Sequence, residues 1–217
     1  MAKNEKYSEG VEYTLVGDES AIKAIAKENR LDISGFEIRH TEVVLDMHDD
    51  PMAVMKEKKD SSLGTGLRML AGGEGDAFVS CGNTGALFTA GYLIVRKIKG
   101  VERPALACVL PTRHPMLLLD CGANVVCEKQ YLEQFAVMGS IYMKKIYGID
   151  SPRVGLLNNG TEEHKGTPLC VETYKSLSSR EGINFIGNVE GSALAKAPCD
   201  VIVTDGFTGN IFLKTFE

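Results

Sequence analysis

Four times in 217 residues, an apolar run that reads as a β-strand ends in Ser, Asp, Asn or Thr and gives way at once to glycine and small polar residues. "AFVS" leads into "CGNTGA", "LLLD" into "CGANVV", "GLLN" into "NGTEEHKG" and "VIVT" into "DGFTGN". Short apolar strands alternating with helical segments call for a mainly parallel sheet covered on both faces, because each parallel crossover returns through a helix. In such an open sheet the turns after the strands share one edge, where ligands bind. Glycine lets a ligand approach the backbone closely, Asn and Thr add donors, and the start of each following helix adds free N–H groups suited to an anion.

The rest of the chain fits this alternation. "VEYTLVGD" and "FEIRH" read as strands around the helix "ESAIKAIAKEN", with Asp18 as its cap and Ile22, Ile25 and Ala26 at helical spacing. Asp50 followed by Pro51 marks a second helix start, and "SSLGTGLRMLAGG" a weaker helix ending on glycines. "AFVS" is expected as a strand, with a helix from Thr84 to about Lys99. "ALACVL" and "MLLLD" follow as strands, then a helix over Glu128–Tyr147 stopped by Gly148. "RVGLLN", a helix after Gly166, "NFIGN" and "VIVTDG" complete the series. The last segment, "GFTGNIFLKTFE", begins a helix that should be buried. The fold class expected is therefore α/β: an open, mostly parallel sheet with helices on both faces, Rossmann-like, in a single domain over 1–217.

Composition removes several alternatives. A net charge of −5 and no dominant basic stripe argue against a nucleic-acid partner, and "KEKKD" reads as a solvated helix face. The six cysteines include no Cys-x-x-Cys pair and read as reduced cytosolic thiols. No His/Cys/Asp cluster has metal-ligand spacing. "MAKNEKYSEG" has no signal-peptide core, and the longest apolar runs are too short to span a bilayer.

The turns match neither a P-loop nor Gly-x-Gly-x-x-Gly, so no nucleotide is indicated. Asp120 and Asp205 stand at strand ends, as turn caps or as chemical groups. Lys58, Lys59 and Ser61 could reach an anion or face solvent. Lys165 is the better phosphate candidate, His164 reads as a surface residue, and Cys81 as a small buried filler rather than a nucleophile. No Gly-x-Ser-x-Gly elbow is present.

Taken together, "KKDSS", "SCGNTGALFTAG", "IKGVERPALACVLPT", "LLLDCGANV", "RVGLLNNGTEEHKG", "INFIGNVEG" and "VTDGFTGNIFLKT" resemble the bacterial phosphate acyltransferase family of phospholipid synthesis, the PlsX family. The resemblance runs from about "YTLVGD" to the end. It implies a fold similar to that of phosphotransacetylases and isopropylmalate dehydrogenases. It implies transfer of a long-chain acyl group from acyl carrier protein to inorganic phosphate, with the acyl phosphate passing to a membrane glycerol-3-phosphate acyltransferase. It also implies a cytoplasmic homodimer associated with the membrane surface, working without a metal or organic cofactor.

With that chemistry, Asn83, Lys165 and Asp205 are the expected catalytic residues. Ser80, Gly82, Thr84, Gly85, Asn124, Thr161, Thr208, Gly209 and Asn210 are the expected phosphate- or substrate-binding residues. The family's opening segment, of the type "DAMGGDNAP", is not found, "TRHPMLLLD" is short for its place, and about the last third of the family pattern is missing. The chain is therefore expected to be incomplete at both ends. Two rival readings stand beside this one: a coenzyme A-dependent phosphate acetyl- or butyryltransferase, and a truncated, non-catalytic phosphate-binding relative.

Overall fold

A computed structural model describes residues 10–112 and 114–216. The chain divides into two compact units, residues 1–96 and 97–217, where the sequence suggested one domain.

The first unit holds β1 (Thr14–Gly17), α1 (Glu19–Glu28) and β2 (Glu37–His40), with β1 and β2 paired in parallel. Asp18 caps α1 as expected, its Oδ1 accepting from the N–H groups of Ser20 and Ala21. Of the apolar positions on α1, Ala26 is buried while Ile25 is 58% exposed. α2 (Ser62–Gly72) starts on the buried Ser61, whose hydroxyl accepts from Gly64 N–H, and stops at Gly73 with φ +79°. α3 (Thr84–Ala90) follows. Val54, Leu63, Leu67, Ala86 and Ala90 form the core of this unit.

Three expectations fail here. "AFVS" is not a strand: among the described residues no neighbour pairs with it, Val79 is 88% exposed, and Phe78 instead lies against Gly66 of α2. A lone extended run has nothing to complete its ladder and stays irregular. The helix from Thr84 stops far short of Lys99. It passes into one π turn, Gly91–Val95, and ends at Arg96 with φ +71°. Asp50–Pro51 opens only a 3-10 turn, Pro51–Met55, with Asp50 accepting from Met52 N–H, and "KEKKD" continues as turns rather than a helix.

The second unit is a five-stranded sheet in the order β3-β4-β7-β5-β6. Its elements are β3 (Ala107–Leu110), β4 (Met116–Leu119), α4 (Lys129–Tyr147), β5 (Arg153–Asn158), α5 (Pro168–Ser178), β6 (Asn184–Glu190), β7 (Val201–Val203) and α6 (Gly206–Phe216). β4, β7, β5 and β6 run parallel, and only the edge strand β3 is antiparallel, on β4. This is the α/β architecture expected.

Alternation along the strands divides the core. Leu117, Leu119, Val154, Leu156, Val201 and Val203 face Leu132, Phe135 and Met143 of α4 and Leu177 of α5. Met116, Leu118, Leu157, Val189 and Ile202 face the opposite way, toward Leu194, Cys199 and the half-buried Phe212 and Leu213 of α6. Burying each such side chain contributes about 1.5–3 kcal/mol, which fixes the register, since a one-residue slip would exchange the two faces. α4 comes close enough that a Cβ on Gly139 would stand 2.5 Å from Val201 Cγ1. Gly148, with φ +70°, ends it as the sequence suggests.

Candidate functional site

Three of the four turns follow β4, β7 and β5, adjacent parallel strands, and so share the carboxyl edge of one sheet. Neighbouring strands are about 4.8 Å apart, so these turns open over about 10 Å, the reach of a small anion with one further reacting group. The fourth turn, Ser80–Gly85, belongs to the first unit and has no strand before it.

The turn after β4 is organised by Asp120, which is fully buried. Its Oδ1 accepts from the N–H groups of Leu106 (3.0 Å), Gly122 (3.1 Å) and Ala123 (3.1 Å). Its Oδ2 accepts from the backbone N–H (2.7 Å) and Nδ2 (2.8 Å) of Asn124. Asn124 is buried, and its amide also donates to Pro104 O at 2.8 Å. Asn124 O in turn accepts from Gly206 N–H, tying this turn to the start of α6.

The turn after β7 is capped by Asp205. Oδ1 accepts from Thr208 N–H at 2.9 Å and Oδ2 from Thr208 Oγ1 at 2.7 Å. Gly209 presses on Asp120 O so closely that a Cβ would collide with it. This places the exposed Asn210 over Gly122, which has φ +145°. Asp120 and Asp205 thus act as turn caps here, one of the two roles open to them.

The turn after β5 is a closed loop, Asn158–Gly166. Asn158 pins both of its ends: Oδ1 accepts from Asn159 N–H at 2.8 Å and Nδ2 donates to Lys165 O at 3.0 Å. Lys165 N–H donates to Glu162 O, which also accepts from the buried Asn188 Nδ2 on β6. Thr161, His164 and Lys165 are exposed, and the stem of Lys165 lies over Gly160. Asn158 and Asn188 escape the sequence reading, although both stand in quoted segments. "LLNN" doubles the strand-end Asn, and "INFIGN" puts a second amide on the neighbouring strand.

In the first unit, Asn83 caps α3: Oδ1 accepts from Ala86 N–H at 3.0 Å. Its Nδ2 donates to the carbonyls of Asp46, Met47 and Asp49. Gly85 sits against Pro51, Thr84 is exposed, and Ser80 Oγ accepts from Gly82 N–H. Lys58 is paired with Asp49, and Ser61 is the α2 cap. Cys81 is exposed, not the buried filler expected.

The expected site residues therefore divide by what their side chains already do. Asn83, Asn124, Asp205 and Thr208 are engaged in holding turns. Lys165, Thr161 and Asn210 reach solvent with no ion pair or hydrogen bond from their side chains among the described residues. The half-buried thiols after β4 are poor nucleophiles: partial burial pushes Cys121 and Cys127 up to about 11. Among the described residues no group of His, Cys, Asp and Glu could hold a metal ion. Among them too, no helix is long and apolar enough to cross a membrane.

The family model described as "Fatty acid synthesis protein" matches residues 1–217. The chain belongs to this family. Proteins named phosphate acyltransferase are close relatives. That of Acetivibrio thermocellus is 46% identical over 211 residues, covering 97% of this chain and 62% of the relative. That of Bacillus subtilis is 47% identical over 206 residues, covering 94% and 61%. The chain thus spans about six-tenths of the length of these family members.

Solved structures similar in fold include EutD phosphotransacetylase from Staphylococcus aureus, with TM-score 0.59 and 19% identity over 94% of this chain and 73% of that one. A branched-chain phosphotransacylase from Enterococcus faecalis V583 has TM-score 0.52 and 15% identity, covering 94% and 84%. At these identities they bear on the fold alone, and the fold is the one the resemblance implies.

Proposed function

We propose that the protein transfers an acyl group from acyl carrier protein to inorganic phosphate, releasing acyl phosphate and the carrier thiol. The observation that carries this is the shared edge of β4, β7 and β5, where side chains already committed to hydrogen bonds frame free donors. It is supported by the name that relatives at 46–47% identity bear.

Phosphate is a competent nucleophile, so the reaction needs placement and charge stabilisation more than an activated side chain. In this reading Lys165 binds phosphate, with Thr161 beside it in the same loop. Asn210, held over Gly122, donates to the oxyanion as the phosphate oxygen adds to the thioester carbonyl. Asp205 and Thr208 hold α6 so that Asn210 points correctly, and Asn124 does the same for the β4 turn. The Ser80–Gly85 turn, with Asn83 as its cap, offers a further set of N–H groups for an anion. A long acyl chain, onward transfer by a membrane glycerol-3-phosphate acyltransferase, a cytoplasmic homodimer and contact with the membrane surface complete the proposal.

The test is acyl phosphate formation from long-chain acyl carrier protein and phosphate, trapped with hydroxylamine, beside a full-length relative. Phosphate-dependent hydroxamate that disappears in Lys165→Ala is the expected result. A second arm uses acetyl- and butyryl-coenzyme A, since the structural neighbours include a phosphotransacetylase. Product in that arm alone would replace the carrier-protein reading, and product in neither, with the control active, would overturn catalysis by this chain.

A further inference from the structure

The loop that presents Lys165 contains the one Asn-Gly step of the sequence, Asn159–Gly160. Its glycine is there for packing. A Cβ at Gly160 would stand 2.9 Å from Lys165 Cγ and 3.0 Å from Glu162 Oε2, so the lysine stem crosses this residue only because it lacks one. The same lack of a Cβ means that no side chain of residue 160 stands in the way of its nitrogen, while the residue itself is buried under the Lys165 stem. Asn159 is exposed, and neither its side-chain amide nor the Gly160 N–H makes a hydrogen bond among the described residues. The other loop amide, Asn158, is held at both ends of its side chain and precedes Asn159 rather than glycine.

We propose that Asn159 is a site of spontaneous deamidation, which puts a new carboxylate on the residue next to the glycine that the Lys165 stem crosses. The Gly160 backbone nitrogen attacks Asn159 Cγ. A C–N bond forms, the bond from Cγ to the side-chain nitrogen breaks, and ammonia leaves with the proton from Gly160 N–H. Water then opens the succinimide at either carbonyl, giving aspartate or isoaspartate. The attack is intramolecular across one peptide unit, so no enzyme or oxidant is required. The loop exchanges a neutral amide for a negative charge and, in the isoaspartate, gains a backbone atom between Asn158 and Lys165. Under the function proposed above, on which this consequence rests, the loop becomes a weaker phosphate site as the protein ages.

The test is a peptide map of the folded chain incubated at mildly alkaline pH, beside a synthetic peptide of residues 154–165. The expected result is time-dependent conversion at Asn159, with aspartyl and isoaspartyl products, Asn158 and Asn124 unchanged, and no conversion in Asn159→Gln. A folded chain that stays unmodified at Asn159 while the peptide converts overturns the proposal. Separately, Asn159→Asp should raise the Kd for inorganic phosphate about five-fold, the order expected of a like charge at partly screened short range. Equal affinity would overturn the link to the site. Absence of phosphate binding by the unaltered chain would count against the proposed function, while the peptide map still decides the modification.

Discussion

Asn124 gives two N–H groups, one from its backbone and one from its side chain, to the same oxygen of Asp120, at 2.7 and 2.8 Å. With three further donors on the other oxygen, this buried carboxyl holds together the β4 turn and the approach from Leu106. Asp120→Ala leaves five donors without their acceptor and should cost about 3–5 kcal/mol, well above one ordinary hydrogen bond. Asn124→Ala should cost about 1–2 kcal/mol, since Asp120 keeps its other partners. Urea unfolding of both single mutants and the double mutant tests this, and the double mutant should lose less than the sum. Strict additivity would mean that the pair does not act as a unit.

Asn158 supports Lys165 from a distance, by accepting at one end of the loop and donating at the other. Asn158→Ala should therefore impair phosphate use without removing the ammonium. Under the proposed reaction, KM for phosphate rises about ten-fold, the loss of roughly one charge-positioning hydrogen bond. kcat at saturating phosphate should change far less. Lys165→Ala should raise that KM and also lower kcat. Steady-state kinetics with phosphate as the varied substrate separates these cases, and identical profiles for the two variants would show that Asn158 does more than position the lysine.

The second unit was legible in the sequence because its signals are local. Apolar runs of four to seven residues, the Gly148 stop and the strand-ending Asp and Asn each report on their own neighbourhood, and the structure places all three turns on one edge. The first unit was less legible. "AFVS" carries a strand composition, but a strand also needs a partner, and composition says nothing of partners. The run from Thr84 has helical spacing past Ala90, yet the chain takes a π turn and a positive φ at Arg96. Within the site, residue types were legible and their allegiance was not. Asn83 and Lys165 look equally available as letters, but the Asn83 amide is occupied by three carbonyls and one N–H. Asn158 and Asn188 act on the loop from outside the glycine motif, so a search confined to the motif passes over them.

At the opposite edge of the same sheet, Arg153 on β5 and Asp200 just before β7 form a forked pair. Nη2 lies 2.9 Å from Oδ1, and both Nε and the backbone N–H donate to Oδ2. Burial opposes the charge on Asp200, but the hydrogen bonds from the Arg153 side chain and backbone, with its charge, outweigh it. They hold the carboxyl below its ordinary value of 3.8. A folded-state value below the unfolded one means that the pair's contribution is complete above about pH 4 and is lost as pH falls through the folded value. Arg153→Met should flatten that part of the acid limb and cost about 2 kcal/mol at pH 7, discounted because the arginine is nearly half exposed. Thermal unfolding between pH 3 and 7 reads both effects, and an unchanged acid limb would rule out this pair as its source.

The cysteines give a prediction of the opposite sign. Burial raises the Cys121 and Cys127 thiols to about 11 and Cys199 to about 12, whereas Cys81 is exposed in the turn before α3. A thiolate is the reactive form, so at pH 8 iodoacetamide should label Cys81 first. Cys199 should stay unlabelled until the chain unfolds. The same displacement acts on stability. A folded value above the unfolded one means that stabilisation is complete below about pH 9 and declines as pH rises toward 11, because the unfolded chain loses its protons first. Replacing Cys121 by Ala removes one such group and should reduce the alkaline slope, at the cost of a small cavity worth about 1 kcal/mol. Mass-mapped labelling and unfolding at pH 8 to 10 check both statements. Early labelling of Cys199 in the folded chain would show that the segment leading into β7 opens far more readily than its packing against Gly155 and Ala197 implies.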